Sequence, residues 1–267
     1  MTPEAAQRAA NLLLSARHAC HPIAGLPEDC VPANLEDAYR IQAAVVAALL
    51  AEGSGARIAG FKIGATSQAA QTFLGLDEPF VGCMPAGGIL SSPARISRAE
   101  FNFCLIEPEF AVRLDRDLAP RTGGYRRADV AEAVAGVFPA FEVVTSAYGE
   151  AWRTAGAPQL IADNGVHACL VLGPERTAWR DLDLGAQAVV LYRNGREEGR
   201  GEGANALGHP LDALAWLAGQ GAAEGRGLKA GDIVTTGVVT PFIYVAAGDD
   251  LRADFGPLGE VRLQIVP

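Results

Sequence analysis

From residue 57 onward the chain is a succession of short apolar runs, broken by glycine, proline and Asn-Gly turns, with no regular alternation of strand and helix. A doubly wound or barrel α/β fold needs a crossover helix between successive parallel strands, so this order points instead to an antiparallel-rich sheet. Two helical segments come first. Thr2-Pro3 supplies an N-cap and a first helical residue for a helix carrying Leu12, Leu13 and Leu14, and the proline-rich residues 22–32 end it. Asn34 caps a second helix, with Glu36 and Asp37 in the first turn where the helix dipole favours acids. Its apolar residues recur at Tyr39, Ala43, Val46 and Leu50 before Gly53-Ser54-Gly55 stops it. The expected organisation is α+β: an N-terminal helical region over 1–55 and a β domain over 56–267.

Within the β region, Arg57–Ile63 reads as a strand running into Gly64, residues 75–95 as a Gly/Pro-rich loop, and Phe101–Leu114 as an alternating strand. A helix is expected over Ala128–Ala135, with buried strands at Val137–Thr145 and Ala168–Leu172. Asn194-Gly195 supplies the positive φ angles of a type I′ turn between Ala188–Arg193 and Arg196–Gly201. Pro210 starts a helix through Ala218, with His209 at its capping position, and short strands follow near 232–236, 242–246, 250–254 and 260–266.

Composition narrows the function classes. A chain of 267 residues, 49% apolar, buries a core without disulfide staples. Its net charge of −9 leaves no basic footprint for nucleic acid or an anionic membrane. The longest apolar stretch, Ala43–Ala51, is far short of the ~20 residues of a membrane span. Glu4 stands where a secretory signal carries basic residues, and five cysteines without a Cys-x-x-Cys pair read as free thiols, so a cytoplasmic location is expected. The spacing of His18, Cys20, His21 and Cys30 matches no zinc-finger template and reads as a helix end and loop. Gly201-Glu-Gly203-Ala-Asn-Ala206 fits a dinucleotide pattern in letters but ends a hairpin, outside any βαβ unit.

The chemistry concentrates in Phe101-Asn-Phe-Cys-Leu-Ile-Glu-Pro-Glu-Phe-Ala-Val. On a strand, Phe101, Phe103, Leu105, Glu107 and Glu109 share one face, with the two acids ~6.5–7 Å apart. Buried carboxylates so close repel each other and lose hydration, and a hard divalent cation removes both penalties. Glu142, alone in a second apolar strand, is a third such acid, and three carboxylates without cysteine favour Mg²⁺ or Mn²⁺ over zinc. The alternative is an exposed edge strand, which Pro108 permits. Lys62, a lone cation among apolar neighbours, either orients a substrate carboxylate and moves a proton or snorkels to the surface.

These residues resemble the fumarylacetoacetate hydrolase superfamily, in its 2-keto-4-pentenoate hydratase / 4-oxalocrotonate decarboxylase branch. The resemblance begins at Asp37-Ala-Tyr-Arg-Ile-Gln42 and runs through Lys62-Ile-Gly-Ala-Thr-Ser67, Ile106-Glu-Pro-Glu109, Pro139-Ala-Phe-Glu-Val143 and Ala162-Asp-Asn164. It continues through Leu207–Leu217, Leu228–Val234 and Ala253–Gly259. It implies a rolled mixed β-sheet domain around a divalent metal, usually Mg²⁺ or Mn²⁺, and a homo-oligomer. By resemblance Glu107, Glu109 and Glu142 become metal ligands and Lys62 a catalytic residue. Gly64, Ser67, Asp163 and Asn164 are the matching substrate-binding positions.

The pattern is altered in places. Pro79-Phe80-Val81-Gly82 stands where the branch's hydratases carry Pro-Asp-Phe-Gly, with acids only at Asp77 and Glu78. Asp163-Asn164-Gly165-Val166-His167 replaces a serine-bearing loop, and Thr236-Gly237-Val238-Val239 replaces Thr-Gly-Ser. Imidazoles titrate near neutrality, so His167 is a substitute acid/base, or else a structural hydrogen-bonded histidine. The implied activity is a metal-dependent lyase on the enolate of a small 2-keto or 2-hydroxydienoic acid, most closely a 2-keto-4-pentenoate hydratase. A 4-oxalocrotonate-type decarboxylase comes next and an acylpyruvate C–C hydrolase after it. From a different class, a relative that binds keto acids without turnover is the reading that Phe80 favours.

Overall fold

Two side-chain caps set the N-terminal helices. In the computed structural model, which describes residues 1–52, 57–220 and 227–267, Thr2 accepts the Ala5 N–H and opens α1 (Pro3–His18). Asn34 accepts the Asp37 N–H and opens α2 (Leu35–Ala51). The expected stop at Gly53-Ser54-Gly55, and with it the boundary at 55–56, lies outside the described residues. Polar ties hold both helices to the β region. Gln42 donates to the Val81 and Ile161 carbonyls, both at 2.9 Å. The Tyr39 hydroxyl accepts the Val81 N–H, and Arg17 donates to Asp163 Oδ1 and to the His167 carbonyl, each at 2.7 Å.

The remaining elements, in chain order, begin with β1 (Ile58–Gly64), α3 (Gln68–Leu74), β2 (Phe80–Pro85), β3 (Ile89–Ser91), β4 (Ala94–Ser97) and β5 (Leu105–Leu114). Next are α4 (Arg127–Ala131), β6 (Val134–Val144), α5 (Trp152–Ala155), α6 (Ala157–Ala162) and β7 (His167–Leu172). The chain ends through β8 (Ala188–Arg193), β9 (Arg196–Glu202), α7 (Pro210–Gly219), β10 (Ile233–Val238), β11 (Ile243–Tyr244), β12 (Asp250–Asp254) and β13 (Glu260–Val266). One sheet has the order β2-β1-β10-β5-β6-β7-β3, with β11 also on β5; the second runs β4-β13-β12-β8-β9. Three pairs are parallel (β1/β10, β3/β7, β4/β13) and the rest antiparallel, so the architecture is α+β with mixed, curled sheets behind two N-terminal helices. The sheets share a core in which Phe61, Phe110, Phe141 and Phe255 are fully buried. Phe110 and Phe255 meet edge-to-face at 5.1 Å, a favourable ring geometry.

Local chemistry explains the elements the sequence makes legible. Asn194 and Gly195 adopt φ 53° and 77° and close the β8–β9 hairpin. His209 Nδ1 accepts the Leu211 N–H and caps α7. Residues 75–95 differ from the expected loop, since they contain β2, β3 and most of the approach to β4. Glycine and proline cut these strands to three to six residues. Their pairing partners lie on β1, β7 and β13, so no local period marks them. The strand expected from Phe101 begins at Leu105, and α4 ends at Ala131 rather than Ala135 so that β6 starts three residues early.

Candidate metal centre

β5 lies in the middle of its sheet, with β6 on one side and β10 and β11 on the other, so the edge-strand alternative for Pro108 does not hold. The Pro108 carbonyl accepts the Val239 N–H at 3.0 Å, which puts the donorless nitrogen on the side where the β10 ladder is already interrupted. Glu107 and Glu109 share a face two residues apart. The antiparallel register with β6 sets Glu142 directly across from Glu107. Glu107, Glu109 and Glu142 each offer a carboxylate oxygen within 4.8 Å of the others. Among the described residues this is the group of three or more metal-type side chains so placed; His18, Cys20, His21 and Cys30 are not gathered in this way.

A bulge in β10 completes one side. The register shifts between Thr235 and Val238, and Gly237, at φ 100°, turns its N–H onto Glu109 Oε2 at 2.8 Å. A Cβ at this position would meet Thr66 Oγ1 at 1.9 Å, so both the φ angle and the close approach require glycine. On the other side Lys62 comes from β1 and ends 3.5 Å from Glu142 Oε1; both side chains are buried. His167, at the start of β7, donates from Nδ1 to the same Oε1 at 2.8 Å. Gly165, at φ 58°, leaves room for the lysine stem, because a Cβ there would lie 3.2 Å from Lys62 Cε.

Each buried acid therefore has one oxygen held by the protein and one without a partner. Glu109 Oε2 takes the Gly237 N–H while Oε1 has none; Glu142 Oε1 takes Lys62 and His167 while Oε2 has none. Burial raises Glu107 to about 7, with Glu142 adding to the shift. Burial also drives Glu109 well above the carboxylate range, with Glu142 and Glu107 as the next causes. Burial by itself raises Glu142 too, but Lys62 and His167 outweigh it and hold the group below its ordinary value. Orphaned hard oxygens with raised proton affinity are what a divalent cation relieves, so the donor set fits a hard ion such as Mg²⁺ or Mn²⁺. The charges of three carboxylates, Lys62 and a divalent cation sum to zero.

The raised carboxyls fix a sign for metal-free stability. Between the unfolded glutamate range near 4.5 and about 7, the folded chain retains a proton that the unfolded chain releases, so stability falls as pH rises through that window. With chelator present, the melting temperature is expected to drop from pH 5 to pH 7.5, and Mg²⁺ should restore more of it at the higher pH. A Mg²⁺ increment that is flat or shrinks across this range would contradict the assignment.

The trio adjoins a cavity of about 440 Å³ that Lys62 and Glu107 line, with Glu109 and Glu142 buried behind them. Gly64 and Ser67 line it, and Ser67 also caps α3 through the Ala70 N–H. Asp163 and Asn164 do not line it. Asp163 is taken up by Arg17, Ser146 and the Ala147 N–H, and the Asn164 amide bridges the Cys83 N–H and carbonyl, each at 2.9 Å. His167 lies behind Glu142 rather than on the cavity wall. Phe80 is on the wall, with Lys62 Nζ 5.0 Å from its ring centroid. Thr66, Gly237 and Gly165 lie in the motifs read from the sequence, but nothing there assigned them a role. A lone glycine within a strand pattern, as at Gly237, was the available signal for a bulge.

Residues 58–266 match the family model described as "Fumarylacetoacetate (FAA) hydrolase C-terminal". The 2-keto-4-pentenoate hydratase 2 of Dechloromonas aromatica (strain RCB) is 36% identical over 261 residues, covering 98% of this chain and 96% of the relative. The 4-oxalocrotonate decarboxylase of Pseudomonas putida is 32% identical, covering 92% and 91%. The solved structure of 4-oxalocrotonate decarboxylase from Pseudomonas putida G7, complexed with magnesium and adipate, superposes with a TM-score of 0.92 at 27% identity, over 100% of this chain and 99% of that one.

Proposed function

The chain belongs to the fumarylacetoacetate hydrolase family, and from that premise we propose a divalent-metal-dependent hydro-lyase that adds water to a 2-hydroxy-2,4-dienoic acid. The observation that carries the reading is the convergence of Glu107, Glu109 and Glu142 with Lys62 against a largely apolar cavity. The three glutamates would hold Mg²⁺ or Mn²⁺. When bound, the cation draws charge from the substrate's 2-oxygen and so lowers the cost of an enolate.

Lys62, on the cavity wall, is the group placed to carry protons. As the 2-hydroxyl loses a proton, C5 gains one and the dienol becomes a 2-oxo-3-enoate. Water then adds at C4 and C3 takes a proton, so one water is consumed and no carbon is lost. Phe80 and its apolar neighbours keep bulk water from the anion. His167 serves as a positioning residue, since its bond to Glu142 Oε1 fixes that carboxylate and leaves Oε2 without a protein partner. Asp163 and Asn164 support the loop that carries it, whereas Gly64 and Ser67 face the substrate. We further propose a homo-oligomeric, cytoplasmic enzyme of aromatic catabolism, in which the helices of 1–55 cover the β-roll of 56–267.

Turnover of 2-hydroxypenta-2,4-dienoate, followed by loss of its ultraviolet absorbance, tests the reading. The expected result is Mg²⁺- or Mn²⁺-dependent formation of 4-hydroxy-2-oxopentanoate, abolished by chelator. Decarboxylation is the second reading, favoured by the full-length superposition on a 4-oxalocrotonate decarboxylase. Release of CO₂ from 4-oxalocrotonate, with no product from the pentadienoate, would decide for it.

A further inference from the structure

We infer that the substrate carries a bulky apolar substituent, aryl or alkyl, beyond C5 of the dienoate; the inference rests on the hydro-lyase reading and extends it. The cavity, at about 440 Å³, is far larger than a five-carbon acid requires. Glu107 and Leu105 succeed one another along its wall on β5, one strand repeat (about 7 Å) apart, and Phe103, just ahead of the strand, lines it as well. A five-carbon chain of four C–C bonds near 1.5 Å spans at most ~6 Å. Its volume of about 440 Å³ lies in the range of sites that enclose ligands of drug size.

Beyond Lys62 and Glu107 the wall is mostly hydrophobic as far as the rim, with Thr66, Ser67 and Thr240 its uncharged polar side chains. Four large hydrophobic residues are exposed among the described residues, and the two aromatic ones, Phe73 at 59% and Phe242 at 43%, both stand at this mouth. Phe73 and Phe103 each face Trp152, with centroids 6.2 and 6.1 Å apart. An apolar tail leaving the metal end would cover these rings and remove them from water.

The rim also argues against a second carboxylate on the substrate. Its one charged wall residue, Arg153, donates from Nη2 to the Tyr244 hydroxyl at 2.6 Å and lies 3.3 Å from Glu150 through Nε. Its guanidinium also lies over the Trp152 and Tyr244 rings, at 5.3 and 5.2 Å. That charge already has Glu150 and two aromatic rings as partners.

The test compares kcat/KM for 2-hydroxypenta-2,4-dienoate, its 5-phenyl derivative and 2-hydroxyhexa-2,4-dienedioate, with Mg²⁺, in the native enzyme and in Phe73→Ala. The phenyl compound is expected to exceed the unsubstituted one by at least tenfold, and F73A should cut that ratio severalfold. Equal values for the phenyl and unsubstituted compounds would overturn the inference while leaving the hydro-lyase reading intact. Preference for the diacid would overturn it as well. If no dienoate turns over, the hydro-lyase reading fails. The tail is then judged by Mg²⁺-dependent binding of 2-oxo-5-phenylpentanoate against 2-oxopentanoate, where tenfold tighter binding of the phenyl acid sustains the inference and equal binding ends it.

Discussion

Replacing Lys62 with methionine is expected to lower kcat by roughly 10²–10⁴-fold, the usual loss when a positioned proton carrier is removed, while leaving divalent-cation binding intact or tighter. The two effects separate because Lys62 touches the acid trio without belonging to it. Its Nζ lies 3.5 Å from Glu142 Oε1, an oxygen that His167 also holds, whereas Oε2 has no partner and would be the oxygen left for a cation. With lysine present the loaded centre sums to zero; without it the sum is −1, and a cation–cation repulsion disappears. Methionine keeps most of the stem that lies against Phe80 and Gly82. Titration with Mn²⁺ and a turnover assay on one preparation decide the matter. Near-native turnover would remove Lys62 from the chemistry, and loss of Mn²⁺ binding would make its role structural.

Glu109→Gln should split stability from function in the opposite sense. Glu109 is 1% exposed, keeps one oxygen without a partner, and has its proton affinity raised by burial and by two neighbouring acids. The amide removes that repulsion and can still accept the Gly237 N–H, so the metal-free variant is expected to gain on the order of 1–3 kcal/mol. In melting temperature this is a rise of several degrees for a domain of this size. The same change removes a charged ligand, so Mg²⁺ affinity should fall at least 100-fold and activity with it. Calorimetry with and without Mg²⁺ reads both effects. A metal-free variant less stable than the native chain would show that Glu109 is held by structure rather than kept for a cation. Retained Mg²⁺ affinity would take it out of the ligand set.

The helices were legible because their signals are local: Thr2-Pro3 and Asn34 as caps, His209-Pro210 before α7, and helical spacing between them. The Asn194-Gly195 hairpin was legible for the same reason, since two residues fix its geometry. The strands β2, β3 and β4 were not, because runs of three to six residues acquire strand identity only from partners far along the chain. The site divides along the same line. Strand periodicity placed Glu107 and Glu109 on one face from the sequence alone, and the apolar setting of Glu142 and Lys62 marked both as unusual. That Glu142 lies across from Glu107 was decided by the β5–β6 register, which no local pattern specifies. The burial of Pro108 in a central strand came from the bulge at Gly237, and the withdrawal of His167, Asp163 and Asn164 from the cavity wall came from hydrogen bonds to residues 16 to 146 positions away. The sequence determined which side chains are chemically out of place in an apolar chain; only tertiary structure decided which of them meet, because distance between strands is set by pairing and packing and not by spacing along the backbone.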